Sequence, residues 1–377
     1  MNNKVCAKTV MDTTDPDILF DKDGVSNHWY NYFEKLKDFH KDANLRDRKF
    51  NKLIEEIKRS NVNKDFNCII GVSGGVDSTY TCYIAKQHGL RPIAVHFDNG
   101  WNSEMAVSNI EKTLKKLDID LYTYVVDWNE FKDIQLSFLK ASTPDAEVPT
   151  DHGMIALLYK TAYKFGIKHI LTGVNVSTES LLPLRWGYGY FDLRYIKGIQ
   201  KKFGTYKIKS FPTLSLFQLF FFSKIIGIKF ISFLDYIDFN KDVALETIKN
   251  KLNWQYYGGK HYESVYTRFF QAYILPRKFK IDKRKAHFSN LICSNQMTRD
   301  EAITELKKDI YPPEKLELDK RFVINKFNLS QDEFDEIIRS EVKYFDDYKS
   351  NYKLFEILKK IKRFLLKYLN IKTLEIE

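Results

Sequence analysis

The hexapeptide Ser73-Gly74-Gly75-Val76-Asp77-Ser78 sets two residues without side chains beside two hydroxyls and one carboxylate. An apolar run, "CIIGV", precedes it, and a helix-like pattern, "STYTCYIA", follows. Between a strand and a helix, such a loop can hold an anion. Adjacent glycines let backbone N–H groups approach closely, and Ser73 and Ser78 add hydroxyl donors. A helix starting at Ser78 aims its positive end at the same point. Asp77 disfavours a bare phosphate, so a metal ion bridging its carboxylate to phosphate oxygens is the economical explanation. Neither G-x-x-x-x-G-K-[ST] nor G-x-G-x-x-G occurs, which excludes P-loop kinases, GTPases and dinucleotide sites.

The elements that must position this loop are legible in the hydrophobic pattern. The runs "NCIIGV", "RPIAVHF", "DLYTYVV" and "IKHILTG" read as short buried strands. Helical patterns follow them in "MAVSNIEKTLKKL", "FKDIQLSFLKA" and "HGMIALLYKTAYKF". Such alternation predicts an α/β fold, a doubly wound parallel sheet covered on both faces, over residues 65–185. Residues 1–64 form an N-terminal segment with turns at "TTDPD" and "DKDG" and an amphipathic helix over 34–61. Its apolar members are Phe39, Leu45, Phe50, Leu53, Ile54 and Ile57. Residues 186–377 are aromatic, basic and mostly helical. The apolar stretch from Phe211, broken by Lys224 and Lys229, reads as a buried or interface helix pair and is too interrupted to span a bilayer. Contact with a membrane surface is the alternative there, and also for the "LFEILKKIKRFLLKYL" tail.

A formal charge of +11 favours anionic partners. Cys6, Cys68, Cys82 and Cys293 form no close pair, and the N-terminus lacks an apolar signal core. Both point to reduced thiols in a cytoplasmic protein.

The "SGGVDS" loop resembles that of the PP-loop ATP pyrophosphatases, a superfamily of adenylating enzymes. There the loop holds the pyrophosphate end of ATP while a substrate oxygen attacks the α-phosphorus. The resemblance implies ATP and Mg2+, with Ser73, Gly74, Gly75, Val76, Asp77 and Ser78 holding the nucleotide. Asp98, in "AVHFDNG", would contact the adenosine or simply serve the turn. In "ILTGVNVSTE", Gly173 and Asn175 would join the nucleotide site. Glu179 is either an exposed surface residue or a joint magnesium ligand with Asp77.

Longer strings, among them "DWNEFKDIQLSFLKASTPDAEVPTDHGM", "YYGGKHYESVYTRFFQAYILPRKF" and "DKRKAHFSNLICSNQMTRDEA", resemble the N-acetyl sugar amidotransferase family over about residues 5–310. That family serves O-antigen and other bacterial surface-polysaccharide pathways. The resemblance implies that an acetamido oxygen is adenylated and replaced by ammonia, giving an acetamidino sugar. Ammonia would come from a HisH-like glutaminase with a HisF-like companion, since this chain has no glutaminase nucleophile motif. No nucleic-acid partner is expected. Two other readings stay open: a tRNA-modifying adenylating enzyme, and a non-catalytic ATP-binding scaffold of a glutaminase complex.

Cations beyond the sheet are candidates for stabilising the pyrophosphate and its transition state: Lys260, Lys283 and Arg284, with Arg277 nearby. His261 and His287 serve either as acid–base groups or as structural histidines. "PTDH" at 149–152 reads as a helix start that also faces the ligand. Relatives in the resembled family open with a four-cysteine zinc knuckle. Here Cys6 stands with Thr9, Ser26 and Trp29 at the other three positions, so no structural zinc is expected.

Overall fold

The structure, a computed structural model, describes residues 4–36 and 43–368. Helices α1 (Asn27–Leu36) and α2 (Ala43–Ser60) precede a five-stranded sheet. Its strands are β1 (Cys68–Gly71), β2 (Pro92–Asp98), β3 (Asp120–Val125), β4 (His169–Thr172) and β5 (Lys229–Ser232). Between them run α3 (Val76–Gln87), α4 (Glu104–Leu117), α5 (Trp128–Lys140), α6 (Val148–Phe165), the single-turn α7 (Val176–Glu179), α8 (Leu193–Phe203) and α9 (Leu216–Phe220). All pairings are parallel and the order is β3-β2-β1-β4-β5. The chain therefore builds outward on one side of β1 and then returns to its other side. The crevice between the carboxyl ends of β1 and β4 is the topological switch point, where open α/β sheets bind ligands.

Alternation along the strands divides the core between two faces. Ile69, Ile93, Val95, Phe97 and Ile170 turn to one cluster, with Phe131 and Phe138 of α5 and Ile155 of α6. Cys68, Ile70, Ala94, Leu171 and Ile231 turn to the other, with Phe50 and Ile57 of α2 and Leu114 of α4.

Four features differ from the sequence reading. The amphipathic helix expected over 34–61 is described as α1 and α2, with Phe39 outside the described residues and Leu45 exposed. The α3 helix begins at Val76, not Ser78, which places Asp77 in its first turn. The apolar stretch from Phe211 is not a helix pair. It contains the strand β5, whose β-branched and aromatic residues complete the sheet beside β4. Helix α6 begins at Val148 with Pro149 in its first turn, so "PTDH" lies inside the helix.

Helices α10 (Lys241–Leu252), α11 (Val265–Phe269), α12 (Lys283–Cys293), α13 (Arg299–Leu306), α14 (Pro313–Phe327), α15 (Gln331–Arg339) and α16 (Tyr352–Tyr368) follow. The α11 helix runs on with wider turns through Phe270–Phe279. Tyr266, Phe269, Phe270, Val323, Phe327 and Phe334 join the same cluster as Ile69 and Ile170, so these helices share a core with one face of the sheet. No described helix is long and apolar enough to cross a membrane.

Candidate active site

The loop after β1 follows from close backbone approaches. Gly74 has φ +80°, and a Cβ there would lie 2.5 Å from the Ala106 carbonyl oxygen of α4. Gly173, just past β4, packs even more directly on the loop. A Cβ there would sit 2.7 Å from the Asp77 carbonyl carbon and 2.8 Å from the Ser78 nitrogen. Only glycine fits either position without moving backbone. Gly75 is the N-cap of α3 and has no side chain of its own to cap that helix. Its first turn is thus left as an anion cradle. The Ser73 and Ser78 hydroxyls lie 3.4 Å apart within the same turn.

A strap over residues 254–264 lies across the cradle. Trp254 Nε1 donates to the Gly74 carbonyl (3.0 Å), and Asn109 of α4 exchanges two hydrogen bonds with the Gln255 backbone. At the other end, the Ser103 N–H donates to the Glu263 carbonyl (2.8 Å). The Tyr257 hydroxyl is hydrogen-bonded to Glu263 and to the Val76 backbone, which puts a phenolic oxygen at the start of α3.

The strap brings Lys260 to Glu179, Nζ to Oε1 at 3.0 Å, with the Thr178 carbonyl 3.4 Å away. Around this pair gather Asp77 of α3, Lys241 of α10, His261 of the strap, and Lys283 and His287 of α12. Burial pushes Asp77 up to about 6, aided by the neighbouring Glu179 charge and opposed by Lys260. Burial opposes ionisation of Glu179 too, but Lys260, His261 and Lys283 hold its carboxyl below the usual range. Lys260 is correspondingly raised: burial lowers it, and Glu179 and Asp77 more than offset that. Lys241 donates to His287 Nε2 at 3.4 Å. Burial and the nearby Lys260 and Lys241 hold His287 well below its ordinary value, so it is neutral. Asp151, in the first turn of α6, is pushed up to about 7 by burial and by Glu147, against the pull of Lys283. By surface area Asp151 nevertheless stays exposed to solvent, so a proton on it can exchange with water or a ligand. Lys283 itself sits 3.7 Å from Glu147.

Several expected residues are committed elsewhere. Asn175 is buried and caps α7, accepting from the Thr178 N–H at 2.9 Å while its amide donates to the Gly173 carbonyl. It shapes the turn after β4. Asp98 accepts from the Gly100 N–H (2.9 Å) and from Asn102 (3.1 Å), holding the turn after β2. Arg284 does not join the cluster. All three of its nitrogens bond to Asp282 or to the Glu305, Leu306 and Lys308 carbonyls, closing the end of α13. Arg277 stacks on Tyr273, 3.9 Å from the ring centroid. Lys241, Glu147, Asp151 as an ionisable group, and the Trp254–Tyr257 strap were missed in the sequence. A signal existed only for the strap, in the aromatic-glycine string "WQYYGG".

The N-terminal knuckle buries Cys6, Thr9 and Ser26 together, with the Ser26 N–H donating to Cys6 Sγ at 3.2 Å. Trp29 packs with Tyr32, Leu181 and Cys293, and His28 bonds Asp15 at 2.7 Å. Arg299 donates to the Thr9 and Cys6 carbonyls, and Lys285 pairs with Asp12. The knuckle therefore clamps α12 and α13, and α12 carries Lys283.

The donor set fits a magnesium–nucleotide complex. Two carboxylates lie by a helix start whose N-cap is a glycine, with cations beside them. Among the described residues no group of three or more His, Cys, Asp or Glu forms a self-sufficient metal site. Magnesium requires none, being commonly held by one or two carboxylates plus phosphate oxygens. A shallow cavity of about 600 Å3 lined by Lys52, Glu55, Glu56, Arg59 and Ser60 lies elsewhere. Glu56 bonds His169 and Lys229 at the amino ends of β4 and β5, so that cavity is at the opposite end of the sheet.

Residues 67–183 match the family of the queuosine biosynthesis protein QueC. Residues 263–362 match the C-terminal domain of LPS biosynthesis proteins of the WbpG-like type. Asp77, Asp151 and Glu179 fall in the first stretch and Lys283 in the second, while Lys241 and Lys260 lie between them. The chain is 32% identical over 130 residues to the 7-cyano-7-deazaguanine synthase of Aliarcobacter butzleri, covering 31% of this chain and 56% of that one. It is 26% identical over 164 residues to the tRNA-specific 2-thiouridylase MnmA of Vesicomyosocius okutanii, covering 40% and 39%. It thus spans 56% and 39% of the length of these curated relatives. Among solved structures, NMN synthetase from Francisella tularensis matches at 16% identity over 50% of this chain and 72% of that one, with a TM-score of 0.28. NH3-dependent NAD synthetase from Campylobacter jejuni matches at 16% over 55% and 84%, with a TM-score of 0.29.

Proposed function

We propose that this protein is an ATP-dependent, AMP- and pyrophosphate-forming amidotransferase acting on an N-acetyl sugar of surface-polysaccharide biosynthesis. The observation that carries the nucleotide half is the glycine-capped start of α3 at the sheet's switch point, with Asp77, Glu179 and Lys260 gathered beside it. The WbpG-like match over 263–362 supports the lipopolysaccharide context. The sugar and the acetamidino product rest on the family resemblance of the longer sequence strings.

Asp77 and Glu179 would hold Mg2+, which offsets charge on the pyrophosphate. In this reading the α3 N–H groups with Ser73 and Ser78 bind the terminal phosphates. Lys260, Lys241 and Lys283 offset the charge that grows as pyrophosphate leaves. The acetamido oxygen bonds to the α-phosphorus while the bond to pyrophosphate breaks. Ammonia then adds to the activated carbon, the new nitrogen gives one proton to Asp151, and the carbon–oxygen bond to AMP breaks. A carboxyl held near 7 suits that proton transfer. The ammonia would come from a separate HisH-like glutaminase with a HisF-like companion in the cytoplasm.

The likeness to a tRNA thiouridylase favours a second reading, sulfur transfer. Against it stand the four cysteines, all buried. Burial pushes Cys82 and Cys293 up to about 12 and Cys68 higher still, so none of these three is an accessible thiolate. The test is pyrophosphate release with ATP, ammonium and N-acetyl sugars, free and nucleotide-linked, against tRNA. Sugar- and ammonium-dependent release is expected, and release with tRNA but no sugar would overturn the proposal.

A further inference from the structure

Helix α16 is anchored at its root. Asn351 Nδ2 donates to Asp192 at 2.9 Å, and the Tyr352 ring packs on Tyr188 and Phe345 with centroids 5.8 and 4.9 Å away. From Ile357 to Ile361 every side chain is exposed. Leu354, Ile357, Leu358 and Ile361 follow helical spacing of three and four, so they form one stripe, and each is 44–54% exposed. The 17 residues hold five lysines and one arginine against a single glutamate, Glu356. Most helical stability in proteins comes from packing an amphipathic face against something apolar. A second copy laid against the stripe would bring lysine against lysine.

We infer that α16 lies on an anionic membrane surface, its apolar stripe in the headgroup boundary and its lysines on the lipid charges. Charge complementarity selects this occupant. A basic helix with an apolar face, too polar to span, binds in the interface plane, and each lysine near an anionic leaflet adds to the affinity. At about 1.5 Å per residue the helix extends roughly 26 Å along that plane. This inference is independent of the activity proposed above.

Sedimentation of the full chain with phosphatidylcholine vesicles, with and without about 30% phosphatidylglycerol, tests it. Binding is expected only to the anionic vesicles and should weaken at high salt. Lys359→Glu with Lys360→Glu should lower partitioning on the order of tenfold or more. Ile361→Asp should do the same through the stripe, with melting temperatures unchanged because both sites are exposed. No vesicle binding, equal binding to neutral vesicles, or undiminished binding by both variants would overturn the inference. So would a dimer in light scattering that Ile361→Asp dissolves while vesicles are ignored.

Discussion

Replacing Asp77 by asparagine should stabilise the nucleotide-free protein while abolishing its use of ATP. Burial and Glu179 push the Asp77 carboxyl to about 6, against an ordinary 3.8. At about 1.4 kcal/mol per pH unit, full ionisation costs the folded chain on the order of 3 kcal/mol. The first turn of α3 favours the charge by only about 0.3–1 kcal/mol, so the penalty wins. Residual solvent contact reduces the expected gain on asparagine substitution to about 1–2 kcal/mol, or roughly 1–3 °C in Tm. The pH dependence has a definite sign. Between about 4 and 6 the folded state binds more protons than the unfolded state, so this group lowers stability as pH rises. The gap between Asp77→Asn and wild type should be full above pH 7 and should close near pH 4. Thermal unfolding in EDTA across that range measures it, with other carboxylates common to both proteins. Added Mg2+ and ATP should then stabilise only the wild type. An Asp77→Asn protein that melts lower at pH 8, or a gap that does not change with pH, would refute the reasoning.

Two further outcomes follow from the site. Asp151→Asn should lower ammonia-dependent turnover by about 10^2–10^4-fold. It should also remove the rise of rate with pH toward a plateau above about 7, while ATP affinity by calorimetry changes little. Gly173→Ala forces a methyl against the Asp77–Ser78 backbone, costing about 1–3 kcal/mol in Tm-based stability. Equilibrium dialysis should show ATP affinity reduced at least tenfold.

The anion cradle was legible because its parts are contiguous. A strand, two glycines and a helix start need only local backbone geometry, so "CIIGVSGGVDS" reports them directly. The parallel sheet was legible for the same reason, through short apolar runs spaced by helical patterns. The fifth strand was not. "KFIS" is four residues long inside an aromatic stretch, and only the open edge of β4 makes it a strand. Arg284 and Lys283 are adjacent in sequence and alike in charge, yet one closes the end of α13 and the other joins the carboxylates. Helix rotation separates them, and the pattern of charges alone does not record which face meets which neighbour.

The sequence by itself determined that a phosphate-binding turn stands at the head of a parallel sheet. Turn geometry and strand periodicity are encoded within a dozen residues. Only the tertiary structure decided which charges meet there: Lys260 on Glu179, Lys241 on His287, and Asp151 within reach of Glu147 and Lys283. The reason is physical. A carboxyl's affinity for protons depends on the burial and charge contributed by segments far apart in the chain, and those are brought together by packing, not by neighbouring residues.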